Sequence, residues 1–346
     1  MQTNKQRVLM LEAPRQVRFA DTPLPAPGPR DVMVRLRYSS FKHGTEMTGY
    51  RGDTPFASRT FNQALRLFEA APEPQPFYPR PMGNMVVGTI EWAGSDVRHL
   101  QQGQQVFAWA PIADVHVLPA ARVQPLGELT PEQALCIDPA SFALGGVIDG
   151  AIAASETVLV TGLGAIGLFV IQYCAALGAK VVAASGFEAR RKLAKACGAS
   201  EVHDPRSDRD LARTIKERMG GVDAAIECSG SIPTLNLTMR ATRQCGRVVC
   251  IGLYGSGEIN LGEEFFHNRI TLLASLPAFA WNNPTRGTPP LYAKDLQEMT
   301  ARDFRQGKIK PLGILDPTLP FRDAERAVRM IADEPERVVK VILKHD

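Results

Sequence analysis

One short run constrains the fold more than any other: "VLVTGLGAIGLFVIQ", residues 158–172. A β-branched apolar stretch passes into Gly162-Leu163-Gly164-Ala165-Ile166-Gly167 and then into a longer apolar segment. Strand, tight turn and buried helix explain that order. The wider run 157–184 is long enough to span a bilayer. Its three glycines, and the end of the apolar segment at Gly178, divide it in a way one membrane helix would not be divided. A G-x-G-x-x-G that follows a strand and opens a helix meets the demands of a dinucleotide pyrophosphate in sequence. Gly162 allows the tight turn, Gly164 leaves room for the phosphates against the backbone, and Gly167 lets helix and strand pack closely. The helix start supplies unpaired N–H groups and positive potential. The six residues 162–167 are therefore the expected cofactor turn, against the alternative of a strand–helix turn that binds nothing.

The next strand, in "AKVVAASGFEARRK", bears on which dinucleotide. An acid placed ~20 residues beyond the glycines would hydrogen-bond an adenosine ribose 2′-hydroxyl. Ser185 stands there instead, followed by Gly186. Ser185 does not repel a 2′-phosphate and can donate to one. Arg190 and Arg191 follow closely enough to give charge-assisted contacts. NADP(H) is expected over NAD(H). The competing reading keeps both arginines in solvent and gives the ribose to Glu188.

Around this unit the texture of the chain changes. Residues 1–150 carry short strand-like runs with Gly/Pro punctuation, such as "DVMVRLRYSS", "VVGTIEWAG", "GQQVFAWA" and "ADVHVLPAARV". A mostly antiparallel β domain is expected there. Beyond 151, strands at Thr157–Thr161, Lys180–Ala184, Ala224–Glu227, Arg247–Ile251 and Ile270–Ala274 alternate with helical segments, the pattern of a doubly wound parallel sheet. The chain ends in a helix and a last strand. The fold class is α/β, and 346 residues suffice for two cores. A net charge of +4 without a dense Lys/Arg block argues against nucleic acid. The six cysteines form no C-x-x-C pair and mostly sit in apolar runs, as buried thiols of a reducing compartment do. The N-terminal "RVLMLEAPRQVRF" reads as strand and not as a signal core, so a cytoplasmic location is expected.

These features together resemble the medium-chain dehydrogenase/reductase superfamily, the zinc alcohol dehydrogenase-like proteins. The resemblance runs over nearly the whole chain: "PLPAPGPRDVMVRL", "HGTE", "GTIEWAGSDV", "VLVTGLGAIG", "VDAAIECSG", "GRVVCIGLYG" and "HNRITLLAS". "SSFKHGTE" is most similar to the bacteriochlorophyllide dehydrogenase-like branch. The resemblance implies a GroES-like catalytic domain over 1–150, a Rossmann domain over 151–285, and a segment 286–346 that rejoins the first. It adds Ser229 and Gly252 to the cofactor-binding set. A small-molecule substrate and a homodimer are expected, with neither nucleic acid nor membrane as partner.

In zinc members a Cys opens the C-G-[ST]-[DE] turn; here His43 stands there, followed by Gly44, Thr45 and Glu46. The usual second ligand, the His of G-H-E, matches Asn84 in "PMGNMVVGTI", and the Glu has become Met85. The third matches Asp138 in "CIDPASF". No thiolate remains and an amide is a poor zinc ligand. No Cys falls between residues 1 and 135, so the four-Cys structural zinc loop is missing too. A zinc-free pocket is expected, with His43 and Asp138 the ligand candidates if a nonstandard metal site survives. Without zinc, His43 is the acid/base candidate, oriented by Asp138 or Glu46. Thr45 occupies the relay-hydroxyl position, and Lys42 is a second cation for an oxyanion or the cofactor phosphates. The structural alternatives are a hydrogen-bonded His, a capping Thr and a surface Lys. Forty residues separate His43 from Asn84, about twice the family's usual spacing. In "SRTFNQALRLFEAAPEP", residues 58–74, Phe61, Leu65 and Phe68 fall at i, i+4, i+7, with Ser58 as cap and Pro72 as stop. An amphipathic helix roofing the substrate pocket is expected, or one that serves as a surface or oligomer contact. The expected activity is NADP(H)-dependent interconversion of an alcohol and a carbonyl, with a sugar- or polyol-like substrate. The rivals are a zinc-free enone or quinone reductase and a cofactor-binding protein without turnover.

Overall fold

The computed structural model describes residues 5–54, 56, 58–70, 77–277 and 282–346. In chain order, the first part contains β1 (Lys5–Ala13), β2 (Gln16–Pro23), β3 (Asp31–Ser40), α1 (His43–Arg51), β4 (Arg59–Asn62), β5 (Leu67–Ala70), β6 (Arg80–Pro81), β7 (Met85–Ala93), β8 (Gln105–Trp109), β9 (Val115–Pro119) and β10 (Val123–Pro125). Then come α2 (Pro131–Asp149), β11 (Thr157–Thr161), α3 (Ala165–Ala176), β12 (Lys180–Ala184), α4 (Glu188–Ala196), β13 (Glu201–His203), α5 (Leu211–Met219), β14 (Val222–Glu227), α6 (Ile232–Ala241), β15 (Thr242–Cys250), β16 (Thr271–Ala274) and α7 (Ala293–Arg305). The chain closes with β17 (Thr318–Pro320), α8 (Ala324–Asp333) and β18 (Ile342–Lys344). No described helix is long and apolar enough to cross a membrane.

Two compact units result: Met1–Leu135 with Leu315–Asp346, and Cys136–Ile314. The boundaries differ from 150 and 286. Most of α2 and all of α7 belong to the second unit, so the segment that returns to the first is shorter than 286–346.

In the first unit β3 is the central strand. It pairs antiparallel with β7 on one side; on the other, its first half pairs with β9 and its last residues with β18. Alternate residues Val32, Val34 and Leu36 are buried, the period of a strand with one face on a core. They pack with Val86, Ile90, Val106 and Ala108. A second core joins Leu9, Leu11, Phe41, Met47 and Tyr50 to Ala327, Val328, Ile331, Val341 and Leu343 from the chain's end. The last 32 residues therefore supply core, not a tail. Leu343→Ala is expected to cost about 2–5 kcal/mol, as for other fully buried leucines. A urea titration of L343A checks this through its midpoint.

His345 lies in the same region, stacked on Phe321 with ring centroids 4.3 Å apart, its Nε2 2.9 Å from Ser39 Oγ. Burial, and secondarily the nearby His116, pull its pKa down to about 3. The unfolded chain takes this proton near pH 6.5, whereas the folded one refuses it down to about 3. Stability is therefore full above the unfolded value and falls by about 1.4 kcal/mol per pH unit below it. Chemical denaturation from pH 7 to 4 should show this slope, flattened in H345F.

Residues 58–70 do not form the expected helix. β4 and β5 pair as an antiparallel hairpin with Phe61 opposite Phe68. Asn62 Oδ1 accepts from Ala64 N and Leu65 N, fixing the turn through its side chain. Leu65, assigned to a buried helix face, is 62 % exposed. Pro72, the expected helix stop, lies outside the described residues.

The second unit carries six parallel strands in the order β13-β12-β11-β14-β15-β16, alternating with helices along the chain. Strands β11 and β12 have the expected bounds, because continuous apolar runs suit strands buried on both faces. Cys136, Cys174 and Cys197 are buried, Cys228 and Cys250 half-buried, and Cys245 exposed.

Candidate active site

In an open α/β sheet, ligands meet the carboxyl ends of the strands where the strand order reverses. Here that point lies between β11 and β14. The turn after β11 has Gly162 at φ +75°, and a Cβ there would lie 2.3 Å from Ser229 N. A Cβ on Gly167 would lie 2.3 Å from Gly162 O. A Cβ on Gly164 would meet nothing within 4 Å. Two glycines are thus required by the fold itself, and the third leaves open space at the start of α3. Gly164 caps α3 without a side-chain hydrogen bond. The N–H groups of the first helical turn, at Ala165, Ile166 and Gly167, have no partner within the helix. Leu163 is 1 % exposed and anchors the turn. A helix start of this kind is able to take an anion.

Ser185 directly follows the neighbouring strand β12. Its N–H donates to His203 O, and its Oγ accepts from Phe187 N at 3.2 Å. Arg191 Nη1 donates to Ser185 O at 2.7 Å and also pairs with Asp204 at 2.9 Å. Arg191 is therefore a fixed part of this corner and not a solvent-facing side chain. Arg190 and Arg206 each stack on Phe187, 4.8 and 4.7 Å from the ring centroid. Gly186 makes room for Arg206: a Cβ there would sit 2.4 Å from its Nε. Glu188 pairs with Lys192 on the exposed helix face, and that ammonium holds its carboxyl below the usual range. The local balance is three guanidinium groups against Asp204. Sequence reading missed Arg206; an Arg in "HDPRSD", directly after β13, was the available signal.

The loop after β14 brings Ser229 against Gly162, and the loop after β15 brings Gly252 against Gly230. The three loops follow adjacent strands and touch through backbone.

The catalytic candidates His43, Thr45 and Lys42 lie in the first unit, where β3 passes into α1. Lys42 is the N-cap residue, and His43 opens the helix. His43 Nε2 accepts the Val341 N–H at 3.2 Å. That bond fixes the neutral tautomer, with the ring proton on Nδ1. Glu46, weighed as a group orienting His43, has one oxygen on Lys42 N and the other on Gly83 N. It staples the start of α1 to the residue before Asn84. Burial raises its pKa, against the pull of those N–H groups and of Lys340. Lys340 is buried and donates to Phe41 O at 2.7 Å. It too escaped the sequence reading, although a Lys inside the apolar run "VVKVIL" is the signature of a buried cation with partners. Asn84 N donates to Ser40 O, and Asn84 O accepts from Ala110 N. Its Nδ2 is buried without a hydrogen-bond partner. Thr45 is exposed on the first turn of α1. Asp138 belongs to the second unit, 6 % exposed within α2, its carbonyl accepting from Ser141 Oγ.

These donors fit zinc poorly. The His43 Nε2 lone pair is engaged by a backbone N–H, and the orphaned atom at Asn84 is an N–H donor, whereas a metal needs lone pairs. Among the described residues no three His, Cys, Asp or Glu side chains gather as a metal site would require.

A family model for zinc-binding dehydrogenases matches residues 165–279. D-guloside 3-dehydrogenase of Escherichia coli K12 is 30% identical over 327 residues, covering 90% of this chain and 92% of its own. L-galactonate-5-dehydrogenase of the same organism is 25% identical over 368 aligned positions, covering 97% and 98%. Among solved structures, 2R,3R-butanediol dehydrogenase from Bacillus subtilis shares the fold at a TM-score of 0.78 and 18% identity, covering 99% of this chain and 100% of that one.

Proposed function

The chain belongs to the medium-chain, zinc-binding dehydrogenase family and is an oxidoreductase, and from that premise we propose that it interconverts a secondary alcohol of a sugar derivative and the matching ketone with NADP(H), without catalytic zinc. The observation that carries the cofactor choice is the corner formed by Ser185, Arg190, Arg191 and Arg206, where three guanidinium groups outnumber the Asp204 carboxylate and Ser185 stands in place of the acid. The sugar class rests on two relatives, whose names place the oxidised carbon on a guloside and on a galactonate.

The bound nicotinamide supplies the hydride acceptor or donor. The protein's part is to hold the substrate oxygen and manage its proton. In this reading the Asn84 amide N–H donates to the oxygen as negative charge develops, which satisfies the orphaned Nδ2. The exposed Thr45 hydroxyl relays the proton. His43 works as a neutral imidazole held by Val341, with Lys42 beside it in the chain. Asn84→Ala is expected to lower kcat by about 100-fold, the usual loss for one oxyanion donor, with NADPH affinity unchanged. Steady-state kinetics beside NADPH fluorescence titration checks this. The Asn84 donor also favours a second reading, reduction of an activated C=C. That reaction needs an oxyanion donor but no proton relay at the carbinol. NADPH oxidation with enones against hydroxyketones separates the two, and turnover of enones alone would overturn the alcohol reading.

A further inference from the structure

Glu227 ends β14 and is fully buried. Its Oε1 accepts from Ser229 N at 2.7 Å and from Ser229 Oγ, and its Oε2 accepts from Gly230 N at 3.0 Å and from Tyr254 OH. Ser229 Oγ in turn accepts from Ser231 N at 3.1 Å, so its own proton points at Glu227. The backbone carbonyl of Glu227 accepts from Ile251 N and Gly252 N. All four partners of the carboxylate are donors. A carboxylate meets that demand, and a carboxamide does not, because one of its two ends is itself a donor.

Those partners come from two different loops. Ser229 and Gly230 follow β14, whereas Tyr254 follows β15. The backbone of the first loop is pressed on the pyrophosphate turn, with Ser229 N 2.3 Å from where a Gly162 Cβ would be. The second loop is as close to the first: a Cβ on Gly252 would lie 2.2 Å from Gly230 N, and one on Gly230 would lie 2.4 Å from Leu253 O. A shift in either loop is thereby transmitted to the glycine turn. Burial in this cluster, together with the facing carboxylate, raises the Tyr254 phenol well above its ordinary value, which keeps it a donor.

The direction of the cofactor follows from the sheet. A bound dinucleotide would place its pyrophosphate at the start of α3 and its adenosine ribose at Ser185, just past β12. The other half of the dinucleotide must then run the opposite way, over the ends of β14 and β15. We infer that Glu227 is a positioning residue for the nicotinamide half: it pins the loops after β14 and β15 into one platform against which that half lies. This rests on the cofactor reading above, but not on the choice of substrate or on zinc.

The test compares the whole dinucleotide with its adenosine half. Wild type, E227Q and Y254F are titrated with the tighter of NADPH and NADH by fluorescence, and with 2′,5′-ADP or ADP by displacement or calorimetry. E227Q is expected to weaken the dinucleotide at least about 10-fold and to shift its bound emission, while the adenosine half binds within about 2-fold of wild type. Y254F, which removes one of the four donors, should show a smaller loss in the same direction and remains informative if E227Q does not fold. Equal losses for both ligands would mean a general structural role, and unchanged dinucleotide binding in both variants would mean no role; either overturns the inference alone. Wild-type protein that binds no dinucleotide would overturn the cofactor reading and this inference with it.

Discussion

Ser185→Asp is expected to reverse the cofactor preference, moving the NADPH/NADH affinity ratio by at least about 100-fold, or about 2.7 kcal/mol. Two effects act in the same direction. A carboxylate at the end of β12 would face the 2′-phosphate at close range. Two unit charges about 4 Å apart at an effective dielectric of about 20 interact by about 4 kcal/mol, and the phosphate carries more than one. The same carboxylate would accept from the ribose hydroxyls of NADH. The fold should tolerate the change, because among the described residues the Ser185 hydroxyl serves to accept from Phe187 N. An Asp oxygen can do the same. Arg206→Ala should act on NADPH alone, weakening it without improving NADH, since it removes a cation and adds no acceptor. Parallel fluorescence titrations with both nucleotides check the pair.

Alanine at the second and third glycines of the turn should separate stability from cofactor affinity. At Gly167 the new methyl would sit 2.3 Å from a backbone oxygen, so strand, turn or helix must move. Overpacking of this kind costs about 1–3 kcal/mol, and the displaced turn should also lose cofactor affinity. At Gly164 the methyl meets nothing within 4 Å among the described residues beyond its own chain neighbours and helix backbone. Stability should therefore be kept while dinucleotide affinity falls about 100-fold or more, because the methyl occupies the space a pyrophosphate needs. Thermal unfolding without cofactor, beside NADPH titration, separates the two. Equal Tm losses in G164A and G167A would contradict the assignment of Gly164 to the ligand.

What could be read from the sequence was what local chemistry determines. Buried parallel strands such as Val158–Thr161 are continuous apolar runs, and the glycine turn is constrained within six residues. The hairpin at 59–70 was misread because Gln63-Ala64-Leu65-Arg66 are helix formers and Phe61, Leu65 and Phe68 match a helical period. Cross-strand pairing of Phe61 with Phe68 overrode that propensity. Asn62, whose side chain closes the turn, was the overlooked signal. The remaining omissions are all non-local. Arg206 reaches Gly186 from beyond β13. Lys340 reaches Phe41 from the chain's end. Val341, nearly three hundred residues from His43, decides which imidazole nitrogen carries the proton. No window of sequence contains both members of such pairs, and the motif alone presented His43 as an ordinary acid/base.

The central claim is hydride exchange between NADP(H) and a sugar-type alcohol by protein groups alone. It is tested most directly on protein dialysed against a strong chelator, its metal content measured, then assayed for NADPH formation with a panel of glycosides, aldonates and polyols. The rate with the best substrate is expected to survive chelation and not to rise when zinc is returned. Loss of activity on chelation, restored as about one zinc per chain binds, would contradict it and make His43 and Asp138 metal ligands.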